Sequence, residues 1–93
     1  MTLPRLSRLQ RRILAWLWAE DVRLRGTMLA SHADLVRALV AQGCDKSNLS
    51  TSLKGLEAKG LVMITRTAGG RAEAVDLTAE GRNRVTWLTG SGG

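Results

Sequence analysis

The chain has 93 residues, enough for one domain with a modest core, so that pairing with a second copy would add stability. Hydrophobic residues make up 44% and charged residues 24% of the chain, which is the balance of a globular protein and argues against disorder. Fourteen Lys and Arg against eight Asp and Glu give a net charge of +6. This excess favours nucleic acid as a partner, with a solvated basic surface as the alternative.

Several classes of protein do not fit this sequence. Cys44 and His32 are the only residues of their types, so the sequence offers neither an intrachain disulfide nor a four-ligand zinc site, and we expect no metal and no cofactor. No apolar run reaches the ~18 residues of a membrane span, and the N-terminus lacks a secretion signal pattern. We therefore expect a cytoplasmic protein with no membrane partner. No paired carboxylates, Ser/His/Asp set or phosphate loop indicates an enzyme.

The first predicted element is a helix from Pro4 to about Val22, because apolar residues recur there at spacings of three and four. One apolar stripe comprises Leu6, Leu9, Ile13, Trp16 and Leu17. A second stripe, Leu14 and Trp18, faces either the core or a partner subunit, and both alternatives stay open. The arginines fall on the remaining face, where they either contact phosphate or are simply solvated: Arg5, Arg8, Arg11 and Arg12.

Two further helices follow, joined by a short turn. Thr27-Met28-Leu29 is a candidate for a short strand, and Ser31 is a candidate N-cap with Asp34 as its capping-box partner. The apolar face of this helix is Leu35, Val36, Leu39 and Val40, and Gly43 ends it. Asp45 caps a third helix over residues 45–59, whose inward leucines are Leu49, Leu53 and Leu56. Its opposite face is small, polar and free of acid: Ser47, Thr51, Lys54 and Ala58.

The pattern then alternates with a period of two, which predicts a β-hairpin with strands at 61–67 and 71–77. Ala68-Gly69-Gly70 forms the turn, because glycine adopts the positive φ that hairpin turns require. Thr78 is predicted to cap a last short helix, in which Gly81, Val85 and Leu88 align. Residues 1–88 are expected to form one domain, and residues 89–93 a flexible tail.

The order of these elements predicts an α+β, mostly helical fold, a winged helix-turn-helix with a three-helix core, a two-stranded wing and a short C-terminal helix. The segment from Asp45 to Val62, which contains LEAKGLV, and the LTAEGR segment at residues 77–82 together resemble the recognition helix, wing and closing motif of MarR-type regulators. That resemblance covers roughly residues 33–88. The Asp-x-Arg of the MarR wing is absent, and Gly69-Gly70-Arg71 stands in its place.

The resemblance implies a transcriptional regulator, most simply a repressor, that binds double-stranded DNA as a homodimer. The third helix would enter the major groove, and the wing at residues 66–71 would contact the flanking backbone or the minor groove. Carried over by position, the implied DNA contacts are Lys46, Ser47, Asn48, Thr51, Lys54, Arg66 and Arg71. The dimer contacts would come from Leu14, Trp18 and Trp87. No residue pattern identifies an effector ligand.

The alternative function is a winged helix that binds another protein and not DNA. The outer face of the third helix distinguishes DNA binding from protein binding, because a protein-interaction module should present apolar side chains there. Cys44, in the turn, is interpreted as a structural thiol, with a redox switch as the alternative. His32 is interpreted as a surface residue.

Overall fold

The computed structural model describes the backbone of residues 6–24 and 30–90 and the side chains of residues 6–24 and 30–86. The elements in chain order are α1 (Arg8–Leu24), β1 (Ala30–Ser31), α2 (His32–Ala41), α3 (Lys46–Ala58), β2 (Val62–Arg66), β3 (Ala72–Leu77) and α4 (Ala79–Gly90). The α+β, mostly helical winged helix class is therefore confirmed. Helix α4 includes Thr89 and Gly90, two residues that we assigned to the tail.

Helix α1 begins at Arg8, because Ser7 caps it. The Gln10 N–H donates to the Ser7 hydroxyl at 3.0 Å, and the Ser7 N–H donates to the Gln10 side-chain oxygen at 3.0 Å. This is a capping box, in which two otherwise unpaired backbone donors of the helix start are satisfied. We expected the helix to run from Pro4, but residues 6 and 7 are not helical. Pro4 itself lies outside the described residues.

The first apolar stripe of α1 packs into the core as expected, with Ile13 completely buried and Leu17 2% exposed. Leu14, on the second stripe, is also completely buried within the single chain. The prediction that Leu14 forms a dimer contact is therefore wrong. A side chain with no exposed surface cannot touch another subunit, and Leu14 is a core residue of its own domain.

The predicted caps of α2 and α3 are confirmed. The Asp34 N–H donates to the Ser31 hydroxyl at 3.3 Å, and the Ser47 N–H donates to the Asp45 carboxylate at 2.7 Å. Gly43 has φ +95° in the turn between the two helices, a conformation that costs glycine little. The core receives Leu35 and Leu39 from α2, whereas Val40 is 44% exposed.

The sheet has three antiparallel strands in the order β1-β3-β2. Our prediction of a two-stranded wing describes the β2–β3 hairpin but omits β1. This strand is only Ala30–Ser31, and it pairs Ala30 with Val75 and Ser31 with Ala74. The segment Thr27-Met28-Leu29, where we expected a short strand, lies outside the described residues. By pairing with β3, β1 places the start of α2 beside the hairpin.

Helix α4 returns across the domain and is tied to α1. Thr78 caps α4 as predicted, since its hydroxyl accepts the Gly81 N–H at 3.0 Å. The Arg82 guanidinium donates to the Asp21 carboxylate of α1 at 3.0 Å and lies 3.8 Å from that of Asp76 in β3. Within the described ranges 6–24 and 30–90, no helix combines the length and the apolar character needed to cross a membrane.

Candidate nucleic-acid interface

The outward face of α3 is exposed along its length. The three leucines predicted to point inward are at most 2% exposed, and Ser47, Thr51, Lys54 and Ala58 are all exposed on the opposite side. Thirteen residues at 1.5 Å per residue give a rod of about 20 Å. A rod of that size with a polar face can be accommodated in a major groove, which is about 12 Å wide.

The carboxylate of Asp45, directly before this face, is already engaged. Asp45 accepts hydrogen bonds from the backbone N–H groups of Ser47 and Asn48, so its charge serves the positive end of the helix dipole. The Thr51 hydroxyl donates to the Ser47 carbonyl at 3.2 Å, which fixes its rotamer and leaves the oxygen able to accept. Lys46 and Lys54 remain as the exposed cations of α3 on this side.

The hairpin tip is held by hydrogen bonds across the turn. The Thr67 N–H donates to the Arg71 carbonyl at 2.8 Å, the Gly70 N–H to the Thr67 carbonyl at 2.9 Å, and the Arg71 N–H to the Thr67 hydroxyl at 3.2 Å. Gly70 has φ +84°, which the turn requires and which glycine alone adopts without strain. The exposed Arg71 side chain therefore projects from a fixed backbone.

Arg66, by contrast, is bound to α3. Its two terminal nitrogens donate to the two carboxylate oxygens of Glu57 at 2.9 and 3.1 Å, a bidentate pair between the hairpin and the side of the helix. Hydrogen bonding to Arg66 lowers the pKa of Glu57 below its usual value, and the same bond raises the pKa of Arg66. This pair, which the sequence did not reveal, fixes the hairpin relative to α3.

A groove separates α3 from the hairpin, and the start of α2 closes one end of it. Two cavities lie along this groove, of about 220 Å³ and 580 Å³, and His32 lines both. We call this the cationic groove, because cations from α3 and from the hairpin line it together with one carboxylate: Lys46, Lys54, Arg66, Arg71 and Glu73. His32, which we interpreted as a surface residue, is half-buried and lines the space between the two candidate DNA-binding elements.

The remaining sequence-predicted residues lie elsewhere. Trp18 is half-buried, packed against the core from α1. The Trp87 side chain lies outside the described residues. Cys44 is also half-buried, and the Arg12 guanidinium donates to its sulfur at 3.5 Å. No three His, Cys, Asp or Glu side chains cluster as a metal site in the described part of the chain.

Comparison with known proteins identifies the fold. No protein-family model matches the chain, and no curated protein matches its sequence. Solved structures of MarR-family regulators do match its architecture. A mutant of S. aureus MepR bound to an oligodeoxyribonucleotide superposes with a TM-score of 0.71 at 23% identity, over 91% of this chain and 56% of that one.

Two further solved structures have a similar fold. The S. aureus MepR–DNA complex gives a TM-score of 0.67 at 24% identity, over 91% of this chain and 63% of that one. BpsR of Bordetella bronchiseptica, whose DNA binding is regulated by 6-hydroxynicotinic acid, gives 0.68 at 22% identity, over 97% of this chain and 61% of that one. The chain thus has the MarR-like winged helix fold and spans less than two thirds of the length of these neighbours.

Proposed function

We propose that this protein is a MarR-like transcriptional regulator, acting as a repressor in the cytoplasm, which binds double-stranded DNA through residues 1–88. The observation that carries the proposal is the placement of an exposed, acid-free helix face beside a hairpin that presents Arg71 at a fixed tip. Helix α3 enters the major groove, and the hairpin contacts the flanking backbone or the minor groove. Repression follows from occupation of a promoter and requires no chemistry.

The proposed contacts divide by chemistry. Thr51 and Lys54 lie midway along the outward face of α3 and read base edges, while the exposed residues at its start contact phosphate and adjacent bases: Lys46, Ser47 and Asn48. Arg71 contacts backbone or the minor groove. Arg66 contributes mainly by holding the hairpin to Glu57, and its guanidinium reaches DNA only if it leaves that carboxylate.

The structural neighbours support this proposal, because two of them are DNA complexes of MepR with the same architecture over nine tenths of this chain. The alternative is a winged helix that binds another protein, and it would need an exposed apolar surface on α3, which the described residues of that helix do not show. Among the described residues, the large hydrophobic side chains that are exposed are Val22, Val40 and Met63, and none belongs to that helix.

We further propose that the active form is a homodimer, with half-sites about one helical turn apart. The proposed contacts are Trp18, which is half-buried on α1, and Trp87, which belongs to α4. Val22, 59% exposed near the end of α1, extends the apolar surface around Trp18. Sedimentation equilibrium of the protein checks this. A dimer that dissociates on Trp18→Ala, without loss of helical signal, supports the assignment, and a monomer at all concentrations contradicts it.

The test of DNA binding is a salt series. Binding of a fluorescent duplex of about 25 base pairs, followed by anisotropy, should weaken as salt rises, with log K falling linearly against log salt at about −0.9 per phosphate contacted. A site selected from random sequence should bind more tightly than a mixed-sequence duplex by ~10³-fold or more. Absence of binding to every duplex at about 50 mM salt would favour the protein-interaction module.

A further inference from the structure

The side chain of His32 occupies a position that the proposed contacts leave unexplained. It lies at the first residue of α2, and the pairing of Ser31 with Ala74 sets it beside the half of β3 that is nearest the hairpin turn. From there it lines the cationic groove together with Lys54 and Gly70 on one side and with Lys46 and Arg71 on the other. A phosphodiester backbone that passes between α3 and the hairpin must cross this groove.

We propose that His32 contacts a DNA phosphate in this groove and takes up a proton when the duplex binds, so that affinity for DNA rises as pH falls. The inference rests on the proposed function, to which it adds His32 as a phosphate contact and the uptake of a proton on DNA binding. A protonated imidazole donates from both nitrogens, and a charge-assisted hydrogen bond to a phosphate oxygen is about twice as strong as a neutral one.

In the free protein the groove disfavours the charged imidazole. Burial lowers the pKa of His32 below its ordinary value of 6.5, and the ammonium group of Lys46 lowers it further. The charged groups that line the groove with it are Lys46 and Lys54 from α3 and Arg66, Arg71 and Glu73 from the hairpin. The charged residues of its own helix are Asp34 and Arg37. Arg66 is neutralised by Glu57, and Arg37 by Asp34 at 3.2 Å.

Duplex DNA reverses this balance. Phosphates bring negative charge against Lys46, Lys54 and Arg71, and the same charge favours protonated His32. Its pKa therefore rises on binding, and a group that binds protons more strongly in the complex makes the association constant fall as pH rises. His32 is the only histidine in the chain. Since histidine is the side chain that ordinarily titrates between pH 5 and 8, it dominates proton uptake in that window.

The single imidazole also makes the test direct. With untagged protein, the ring resonances of His32 are followed by NMR as pH is varied, alone and with a mixed-sequence duplex of about 25 base pairs. We expect the pKa of His32 to be higher in the complex. In parallel, anisotropy titrations between about pH 5.5 and pH 8 should show the wild type gaining three- to ten-fold in affinity per pH unit around the midpoint, beyond any gain of His32→Gln.

Two variants separate charge from shape. His32→Gln retains a hydrogen-bonding group that never ionises, and it should bind with little pH dependence. His32→Lys carries a charge throughout, and it should bind at about pH 8 at least as tightly as the wild type does near pH 6. Urea unfolding and circular dichroism establish that each variant is folded.

The outcomes distinguish this inference from the function on which it rests. If the wild type binds duplex but His32→Gln shows the same pH dependence, or if the imidazole pKa does not rise in the complex, the role of His32 is overturned while DNA binding stands. If the wild type binds no duplex at any pH at about 50 mM salt, the proposed function fails, and this inference fails with it.

Discussion

Gly81 of α4 lies so close to the backbone of Leu61 that a Cβ at position 81 would overlap the Leu61 carbonyl oxygen. The same junction is held by Thr78, whose N–H donates to that carbonyl at 3.1 Å and whose hydroxyl donates to the Gly60 carbonyl at 2.6 Å. Helix α4 therefore docks against the segment that joins α3 to β2. This contact explains physically why LTAEGR carries a glycine at position 81.

Gly81→Ala should destabilise the domain by about 2–3 kcal/mol, because the obstacle is backbone and the helix must move to accept the added carbon. Urea unfolding followed by circular dichroism measures the change. Gly55→Ala is the matched control in α3, where an added Cβ would meet only the Gln10 side-chain nitrogen, at 2.7 Å. The Gln10 side chain must then shift and weaken the hydrogen bond that it accepts from the Ser7 N–H. Alanine favours a helix by about 1 kcal/mol over glycine, which offsets this loss, so the control should change stability by less than about 1 kcal/mol. Equal losses in both variants would contradict the account of this junction.

Much of the fold could be predicted from the sequence, and the predictions that failed have identifiable physical causes. The caps at Ser31, Asp45 and Thr78 could be predicted because a cap is local, a hydroxyl or carboxylate two or three residues before the N–H that it accepts. Strand β1 is two residues long, too short for any alternation to show. The second stripe of α1 was ambiguous because helical period shows that Leu14 is on an apolar face, but not which neighbour covers that face.

Leu53→Ala should reduce the free energy of unfolding by about 2–5 kcal/mol, because its side chain is 2% exposed beneath α3 and truncation leaves a cavity. Thr51→Ala, two residues earlier on the exposed face, should change stability by less than about 0.5 kcal/mol. The comparison is made by urea unfolding. A cost at Thr51 equal to that at Leu53 would mean that the outward face of α3 is misassigned.

Lys54→Ala and Arg71→Ala should each weaken duplex binding by about 1–3 kcal/mol and leave the urea midpoint unchanged, since both side chains are exposed. Removing a phosphate contact should also flatten the slope of log K against log salt by about one unit. Arg23→Ala removes the same charge from the last turn of α1, a helix that lines neither cavity of the cationic groove, and serves as the control. If the control weakens binding as much as the other two, net charge and not docking geometry determines affinity.

The ion pair between Glu57 and Arg66 predicts a pH dependence of stability. The folded-state pKa of Glu57 is lowered, so its contribution is fully present above the unfolded value of 4.5 and is lost as pH falls through the folded pKa. Glu57→Gln should therefore be less stable than the wild type at about pH 7, and the difference should shrink below about pH 4.5. Urea midpoints across this range measure it. A difference that persists undiminished in acid would rule out the ion pair as its source.

The candidate interface was less accessible from sequence than the fold. The outward face of α3 could be predicted because side chains on one helix follow a fixed period. The pairing of Arg66 with Glu57 depends on how the hairpin twists against α3, which no local pattern encodes. The position of His32 could not be predicted either, because no local pattern encodes it. Only the pairing of β1 with β3 places this residue between two elements that are distant in sequence.

The most direct test of the central claim maps the surface that duplex DNA covers. Amide resonances of the labelled protein are compared before and after addition of a mixed-sequence duplex at about 50 mM salt. The account predicts that the largest shifts fall on residues 46–54 of α3 and 66–71 of the hairpin, with α4 little changed. Shifts concentrated on α4, or on the surface of α1 around Trp18, would contradict it.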